Sequence, residues 1–263
     1  MKIRLNDFTL SYEDQGRGIP LLWIHGFPLN RNIWQAQIEG LSTFARLLAP
    51  DLRGFGASDA IPGIYTMDLL AKDCHDFLTA VGIQEPVVIG GLSMGGYVAF
   101  SFFRQHPQSV GGLVLAATRA ATDSAEGKAN REKSAALVRE KGVRAISEAM
   151  LPKMLSPKTY TANPKLVAQV REILETASVD GIIGSLMGMK DRPDSTPTLS
   201  QIDVPALILH GADDQLIPVQ EAQSMHAAIK SSRMIILPDA GHLLNMEQPR
   251  LFNQAVKEFM DIL

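Results

Sequence analysis

Residues 86–107 read Pro86-Val87-Val88-Ile89-Gly90-Gly91-Leu92-Ser93-Met94-Gly95-Gly96-Tyr97-Val98-Ala99-Phe100 and run on to His106-Pro107. A short apolar run ends near Gly90 and a helix-like stretch opens near Met94, so Ser93 stands on the turn between a buried strand and a helix. Such a turn strains the serine backbone and leaves no room for a Cβ two residues to either side, which accounts for Gly91 and Gly95. The hydroxyl is exposed at a helix N-terminus, where free N–H groups and the helix dipole favour a developing anion. Chance alone gives about 0.1 bare Gly-x-Ser-x-Gly patterns in a chain of this composition. The flanking strand and helix therefore carry more of the reading than the pattern does. No Lys-Ser/Thr pair follows and the dinucleotide glycine pattern is incomplete, which excludes a Walker-type phosphate loop.

Outward from this stretch, apolar runs without polar alternation recur at 20–24, 46–49, 112–117, 204–209 and 233–237. They predict strands buried on both faces, as in a parallel sheet. Helix-like stretches at 31–42, 67–81, 94–106, 220–230 and 248–262 lie between them, and residues 2–14 predict an opening hairpin around Asn6-Asp7. Within 67–81, Asp68, Ala71, Lys72, His75, Asp76 and Thr79 make the polar face. The alternation predicts an α/β fold with a mostly parallel, doubly wound sheet. Residues 121–200 break the rhythm, with helix-like segments near 134–155, 164–176 and 178–190 punctuated by Pro152, Pro157, Pro164, Pro193 and Pro197. We read them as a helical insertion into a core formed by residues 1–120 and 201–263. Its cations, Arg131 among them, read as a solvated helix face.

Composition narrows the function classes. The chain of 263 residues is 46% hydrophobic and 20% charged, enough for a sizeable core. Twenty-five basic against 28 acidic residues leave a net charge of −3, which argues against a nucleic-acid face or an anionic-membrane anchor. The single cysteine, Cys74, precludes an internal disulfide. The first residues lack the apolar core of a signal peptide, and no apolar run approaches the ~20 residues of a membrane span. These features predict a cytoplasmic protein, monomeric or homodimeric, with residues 248–262 and 233–237 available for dimer contacts.

A serine hydroxyl needs a base to take its proton and a third group to orient that base. Of the six histidines, His75 and His226 fall inside helical patterns, His106 caps a helix end and His210 closes a buried run. His242 differs: it lies in Pro238-Asp239-Ala240-Gly241-His242-Leu243, after the last strand and before the last helix. That is the carboxyl edge of the sheet, where Ser93 also belongs. The loop after the preceding strand, Gly211-Ala212-Asp213-Asp214, offers two acids. Either gives the chain order Ser, Asp, His.

With these motifs the chain resembles the α/β-hydrolase superfamily, in its cap-bearing branch of serine esterases and cofactor-free haloperoxidases, which act as perhydrolases. The resemblance rests on His25-Gly26-Phe27-Pro28, Asp51-Leu52-Arg53-Gly54-Phe55-Gly56-Ala57-Ser58, Gly91 to Gly96, Gly211 to Asp214 with Pro218, and Gly241-His242 with Glu247 and Pro249. It implies the acid three residues after Gly211 and four before Pro218, selecting Asp214. It also implies an oxyanion hole from the backbone N–H groups of Phe27 and Met94, each such donor contributing about 3–4 kcal/mol to the transition state. Asp51, Arg53, Ser58, Glu247 and Pro249 are expected to shape loops. Epoxide hydrolases and haloalkane dehalogenases of the superfamily carry aspartate where this chain has Ser93, which argues against both. Enol-lactonases share a similar serine turn but usually differ at the His-Gly-Phe-Pro block.

The expected function is therefore a serine hydrolase of carboxylic esters, requiring neither metal nor cofactor. The alternatives are a perhydrolase, an enol-lactone or carbon–carbon bond hydrolase, and a catalytically weak ligand receptor. The expected substrate-binding set is Phe27, Pro28, Leu29, Met150, Met154 and Leu243, with Met187 and Met189 as further pocket methionines. An apolar insertion without a cation cluster predicts small to medium neutral esters.

Overall fold

Leu21 to Ile24, Val87 to Leu92 and Ala206 to Gly211 are each buried throughout, and strands apolar on both sides are stable only with helices on both faces. A computed structural model describes residues 1–263 and contains that arrangement. Its eight strands are β1 Lys2–Leu5, β2 Phe8–Gln15, β3 Ile19–Ile24, β4 Ala45–Pro50, β5 Val87–Leu92, β6 Val110–Ala116, β7 Ala206–Gly211 and β8 Ser232–Leu237. They form one sheet in the order β1-β2-β4-β3-β5-β6-β7-β8. β1–β2 and β2–β4 pair antiparallel, and every pairing from β4 through β8 is parallel. This is the α/β-hydrolase fold that the motifs imply.

The period-2 alternation of the central strands splits the core between the two faces. Leu22, Ile24 and Ile89 join a cluster of 44 buried residues. Leu21, Trp23 and Val88 join a second one of 33, in which Trp23 stacks on Trp34 with ring centroids 4.4 Å apart. On the first face pack α2 (Met67–Ala80), α3 (Met94–Gln105) and α10 (Val219–Ala228), and on the second α1 (Gln35–Leu41) and α12 (Pro249–Met260). A short helix, α11 (Leu244–Glu247), precedes α12. One residue of α2 departs from the expected polar face: Ala71 is fully buried. Asp73 is also buried, because Arg53 grips it with two parallel hydrogen bonds of 2.5 and 2.6 Å.

Six helices lie between β6 and β7: α4 (Ala125–Lys141), α5 (Val143–Met154), α6 (Pro157–Ala162), α7 (Pro164–Glu175), α8 (Val179–Lys190) and α9 (Thr196–Leu199). The expected single helix over 134–155 is two, because Gly142 turns the chain at φ 76°. Two more helices, α6 and α9, replace expected punctuation. Pro157, Pro164 and Pro197 occupy first-turn positions, where a missing N–H costs nothing, so these prolines begin helices. The inserted helices serve both clusters: α4 and α8 contribute Ala135, Val138, Ile182 and Leu186 to the first, α5 and α7 contribute Met154, Val170 and Leu174 to the second.

A close backbone contact helps to fix the insertion on the sheet. Gly181, Gly184 and Gly188 form a stripe along α8, and a Cβ on any of them would strike the backbone of Gly54, Gly63 or Tyr65. Across this close approach Tyr65 N–H donates to Gly184 at 3.0 Å, and Ser178 N–H and Oγ donate to Gly54 at 3.1 and 2.9 Å.

Candidate active site

Ser93 follows β5 directly and adopts φ 55°, ψ −113°, a conformation that strains a side-chain-bearing residue. Its neighbours hold it there. Its N–H donates to Ala116 at 2.9 Å, and its carbonyl accepts from Gly96 N–H at 2.9 Å and from the Thr118 hydroxyl at 2.8 Å. A Cβ at Gly91 would collide with the Gly95 and Gly96 backbone, and one at Gly95 with the Ile24 carbonyl. The expected reason for these two glycines is thus met in full. Met94 is the first residue of α3, so its N–H has no partner within the helix.

The β3 loop passes beside the serine, for a Cβ on Gly26 would lie 3.3 Å from that of Ser93. His25 anchors this loop from below. Its Nε2 accepts from Leu52 N–H at 3.0 Å, which leaves the proton on Nδ1 to donate to the Gly26 carbonyl at 2.9 Å. Burial lowers the His25 pKa, keeping it neutral.

The loops after β7 and β8 interlock. A Cβ on Gly211 would meet the carbonyls of Ala240 and Gly241, and Asp213 N–H donates to Ala240 at 2.8 Å. Asp213 projects into solvent, whereas Asp214 turns inward and accepts from His242 Nδ1 at 2.9 Å. Both side chains are buried, at 1% and 2% exposure. The Asp214 carboxylate also accepts from the N–H groups of Leu216 and Ile217 at 2.8 and 3.1 Å. Burial alone would push its pKa up, but His242 and these N–H groups outweigh burial and hold it below the usual carboxylate range. With Nδ1–H committed to Asp214, Nε2 is the histidine nitrogen left to accept a proton. His210, the expected core histidine, donates from Nε2 to Ile217 at 2.9 Å and lies 3.7 Å from Asp214. Its Nδ1 has no partner, and burial lowers its pKa. Glu247 closes the site from behind, accepting from Gly241 N–H at 2.6 Å and Ser156 N–H at 2.8 Å.

Ser93 and His242 open into one cavity of about 140 Å³, also lined by Phe27, Tyr97, Leu216, Ile217, Met150, Met189, Arg119 and Arg131. Of the expected substrate-binding residues, Phe27 and Met150 are there. Pro28, Leu29, Met154 and Leu243 are not: all four are buried away from the cavity, the last three within the second-face core. Met154 ends α5 beneath the β8 loop, where its carbonyl accepts from Leu243 N–H at 3.0 Å. Met187 packs against the first-face core.

The expectation of an insertion without a cation cluster is also corrected. Arg119, Arg131 and Arg192 converge on the single buried carboxylate of Asp123. Burial would raise the Asp123 pKa, but the guanidiniums of Arg131 and Arg192 outweigh it and hold the group ionised. Arg131 sits on the inner side of α4, which the polar run from Glu126 to Lys141 disguises as a uniformly solvated helix. Arg119 had a signal that was missed: it lies three residues beyond β6, at the same sheet edge as Ser93.

The model of the alpha/beta hydrolase family matches residues 21–255. The chain belongs to this family. Among its solved relatives is a thermophilic esterase from Thermogutta terrifontis, described as malate-bound, which is 41% identical with a TM-score of 0.95. That match covers 97% of this chain and 94% of the esterase. The 3-oxoadipate enol-lactonase 2 of Acinetobacter baylyi is 28% identical over 256 residues, covering 97% of this chain and 94% of its own. The enol-lactonase of Burkholderia xenovorans LB400 is 26% identical with a TM-score of 0.92, over 99% of this chain and 100% of that one. Within the family the chain sits with the esterase and perhydrolase branch that its motifs resemble. It is a hydrolase of that family, and no helix is long and apolar enough to cross a membrane.

Proposed function

We propose that the protein hydrolyses carboxylic esters by a Ser-His-Asp mechanism. The observation that carries this reading is the strained Ser93 facing the same cavity as His242, whose far nitrogen is bonded to the buried Asp214. His242 Nε2 takes the Ser93 proton as Oγ attacks the ester carbonyl, and Asp214 fixes the tautomer and stabilises the imidazolium. The N–H groups of Phe27 and Met94 receive the oxyanion. His242 then protonates the departing alcohol, and a water activated by the same imidazole cleaves the acyl-enzyme. Residues 121–200 act as the cap, closing the acyl side of the cavity with Met150 and Met189.

A lactone is a cyclic ester, and the two enol-lactonase relatives, each matched over nearly its whole length, favour lactone hydrolysis as the second reading. A panel of 4-nitrophenyl esters of rising acyl length and of unsaturated lactones tests both. Turnover of the nitrophenyl esters that vanishes in Ser93→Ala is the expected result. Turnover of lactones alone moves the assignment to the second reading, and turnover that survives Ser93→Ala overturns both.

A further inference from the structure

The charges around the Ser93 cavity do not balance. Asp123 is 1% exposed, and its two carboxylate oxygens hold three guanidiniums, those of Arg119, Arg131 and Arg192. No other carboxylate approaches Arg119 or Arg131 within the 4.0 Å of an ion pair, and Glu221 is the one further acid whose charge acts on Arg119, so the cluster keeps an excess of positive charge. The three arginines are not equivalent. Arg192 faces inward: it is 3% exposed, donates to the carbonyls of Met189 and Ala121 at 2.9 Å each, and covers the Tyr97 ring 4.1 Å from its centroid, although its Nε–H, like that of Arg119, is buried without an acceptor. Arg119 and Arg131 instead keep 24% and 19% of their side chains exposed and line the cavity itself, sharing Asp123 between them.

Guanidiniums remain charged at any working pH, and their planar fork matches a carboxylate in a bidentate pair. A partly enclosed cavity strengthens that attraction relative to open water. An excess of fixed cations beside an ester-cleaving serine therefore has a use that a neutral substrate leaves idle.

We propose that Arg119 and Arg131 form a subsite for an ionised carboxylate, and that the preferred substrates are esters carrying a second, free carboxylate group. This rests on the ester-hydrolase reading above and deepens it. Hydrolysis of such a monoester by water releases the alcohol and a dicarboxylate, which the same two arginines retain as a competitive product. Asp123 orients both guanidiniums, and because it holds three, loss of one leaves it still paired.

The test compares monomethyl glutarate and monomethyl succinate with the corresponding dimethyl diesters, for the wild type, Arg119→Gln, Arg131→Gln and Arg131→Lys, with melting temperatures confirming the fold. The expected result is a kcat/KM preference of the wild type for the monoesters of about tenfold or more. In either Gln variant the ratio collapses, and Arg131→Lys recovers part of it. A wild type that prefers the diesters, or a preference that both Gln variants keep, overturns the proposal. Calorimetric binding of succinate and glutarate to Ser93→Ala, against glutaramide and inorganic phosphate, reads the subsite without turnover. Dicarboxylate binding weakened by Arg131→Gln supports the proposal. Equal binding of glutaramide, or binding of phosphate but not of dicarboxylate, overturns it. Ester turnover without charge preference removes this inference and leaves the serine mechanism standing. Turnover that persists in Ser93→Ala removes that mechanism, while the calorimetry still decides the subsite.

Discussion

The two halves of the cavity are built by different means. On the sheet side, Ser93, Asp214 and His242 each follow a parallel strand, and their loops are fixed by backbone contacts that only glycine permits at 91, 95 and 211. On the helical side, Arg131, Met150 and Met189 come from α4, α5 and α8, whose positions depend on side-chain packing and on close contacts with the loop at 54–65 and with Gly241 after β8. Three side chains of the first half are held by bonds a few residues long or between neighbouring strands. In the second, Arg119 and Arg131 reach Asp123 across four and eight residues, and Arg192 joins them only after some 70 residues of chain have folded back. On the proposed reading, chemistry belongs to the sheet side and selectivity to the helical side.

Substitutions at the two halves should separate these roles. The largest effect expected is from Asp214→Asn, which keeps the shape but presents the wrong hydrogen-bonding partner to His242. It should lower kcat for ester hydrolysis about 10⁴-fold with little change in melting temperature. A loss below tenfold would remove Asp214 from the mechanism. Next comes Gly95→Ala, whose Cβ drives into the Ile24 carbonyl. Displacement of the serine turn should cost about 3 kcal/mol in denaturant unfolding together with most of the activity. An unchanged unfolding midpoint would contradict the close approach.

Gly188→Ala probes the helical half in the same way, since its Cβ meets the Tyr65 carbonyl. It should destabilise by about 2 kcal/mol. The chemical step should survive while the acyl-length profile broadens, measured as kcat/KM across a nitrophenyl series. An unaltered profile would detach α8 from selectivity.

The smallest effect is a pH dependence of stability. His25 and His210 have pKa values lowered from 6.5 by burial, so the unfolded chain binds protons there that the folded chain refuses. Their contribution is complete above pH 6.5 and declines as the pH falls below it. Asp214 and Asp123, lowered from 3.8, add stability above that value that is lost on further acidification. Melting temperatures should therefore hold between pH 8 and about 7, then fall steadily to pH 4. A constant value from pH 8 to 5 would contradict the neutral buried state of the two histidines.

The contrast between the halves also governs what the sequence makes legible. The strand runs, the helices between them and the turn at Ser93 follow from local patterns, because each depends on neighbours within a few positions. Between Asp213 and Asp214 local pattern offered no choice. The family spacing chose Asp214, and the structure gives the reason, a turn that sends one carboxylate to solvent and the next to His242. In the insertion, prolines that look like breaks begin helices, and Arg131 looks like any other exposed cation of α4. It pairs with Asp123 just ahead of its own helix, which Arg192 encloses once the insertion folds back, and no periodicity in residues 125–141 encodes that.

The central claim is that Ser93 is the nucleophile, and covalent labelling tests it without assuming a substrate. Wild type and Ser93→Ala are treated with a fluorophosphonate and the modified peptide is identified by mass spectrometry. The account predicts a single adduct on Ser93, absent in Ser93→Ala and slowed in Asp214→Asn. An adduct on another residue, or labelling that survives Ser93→Ala, would contradict it.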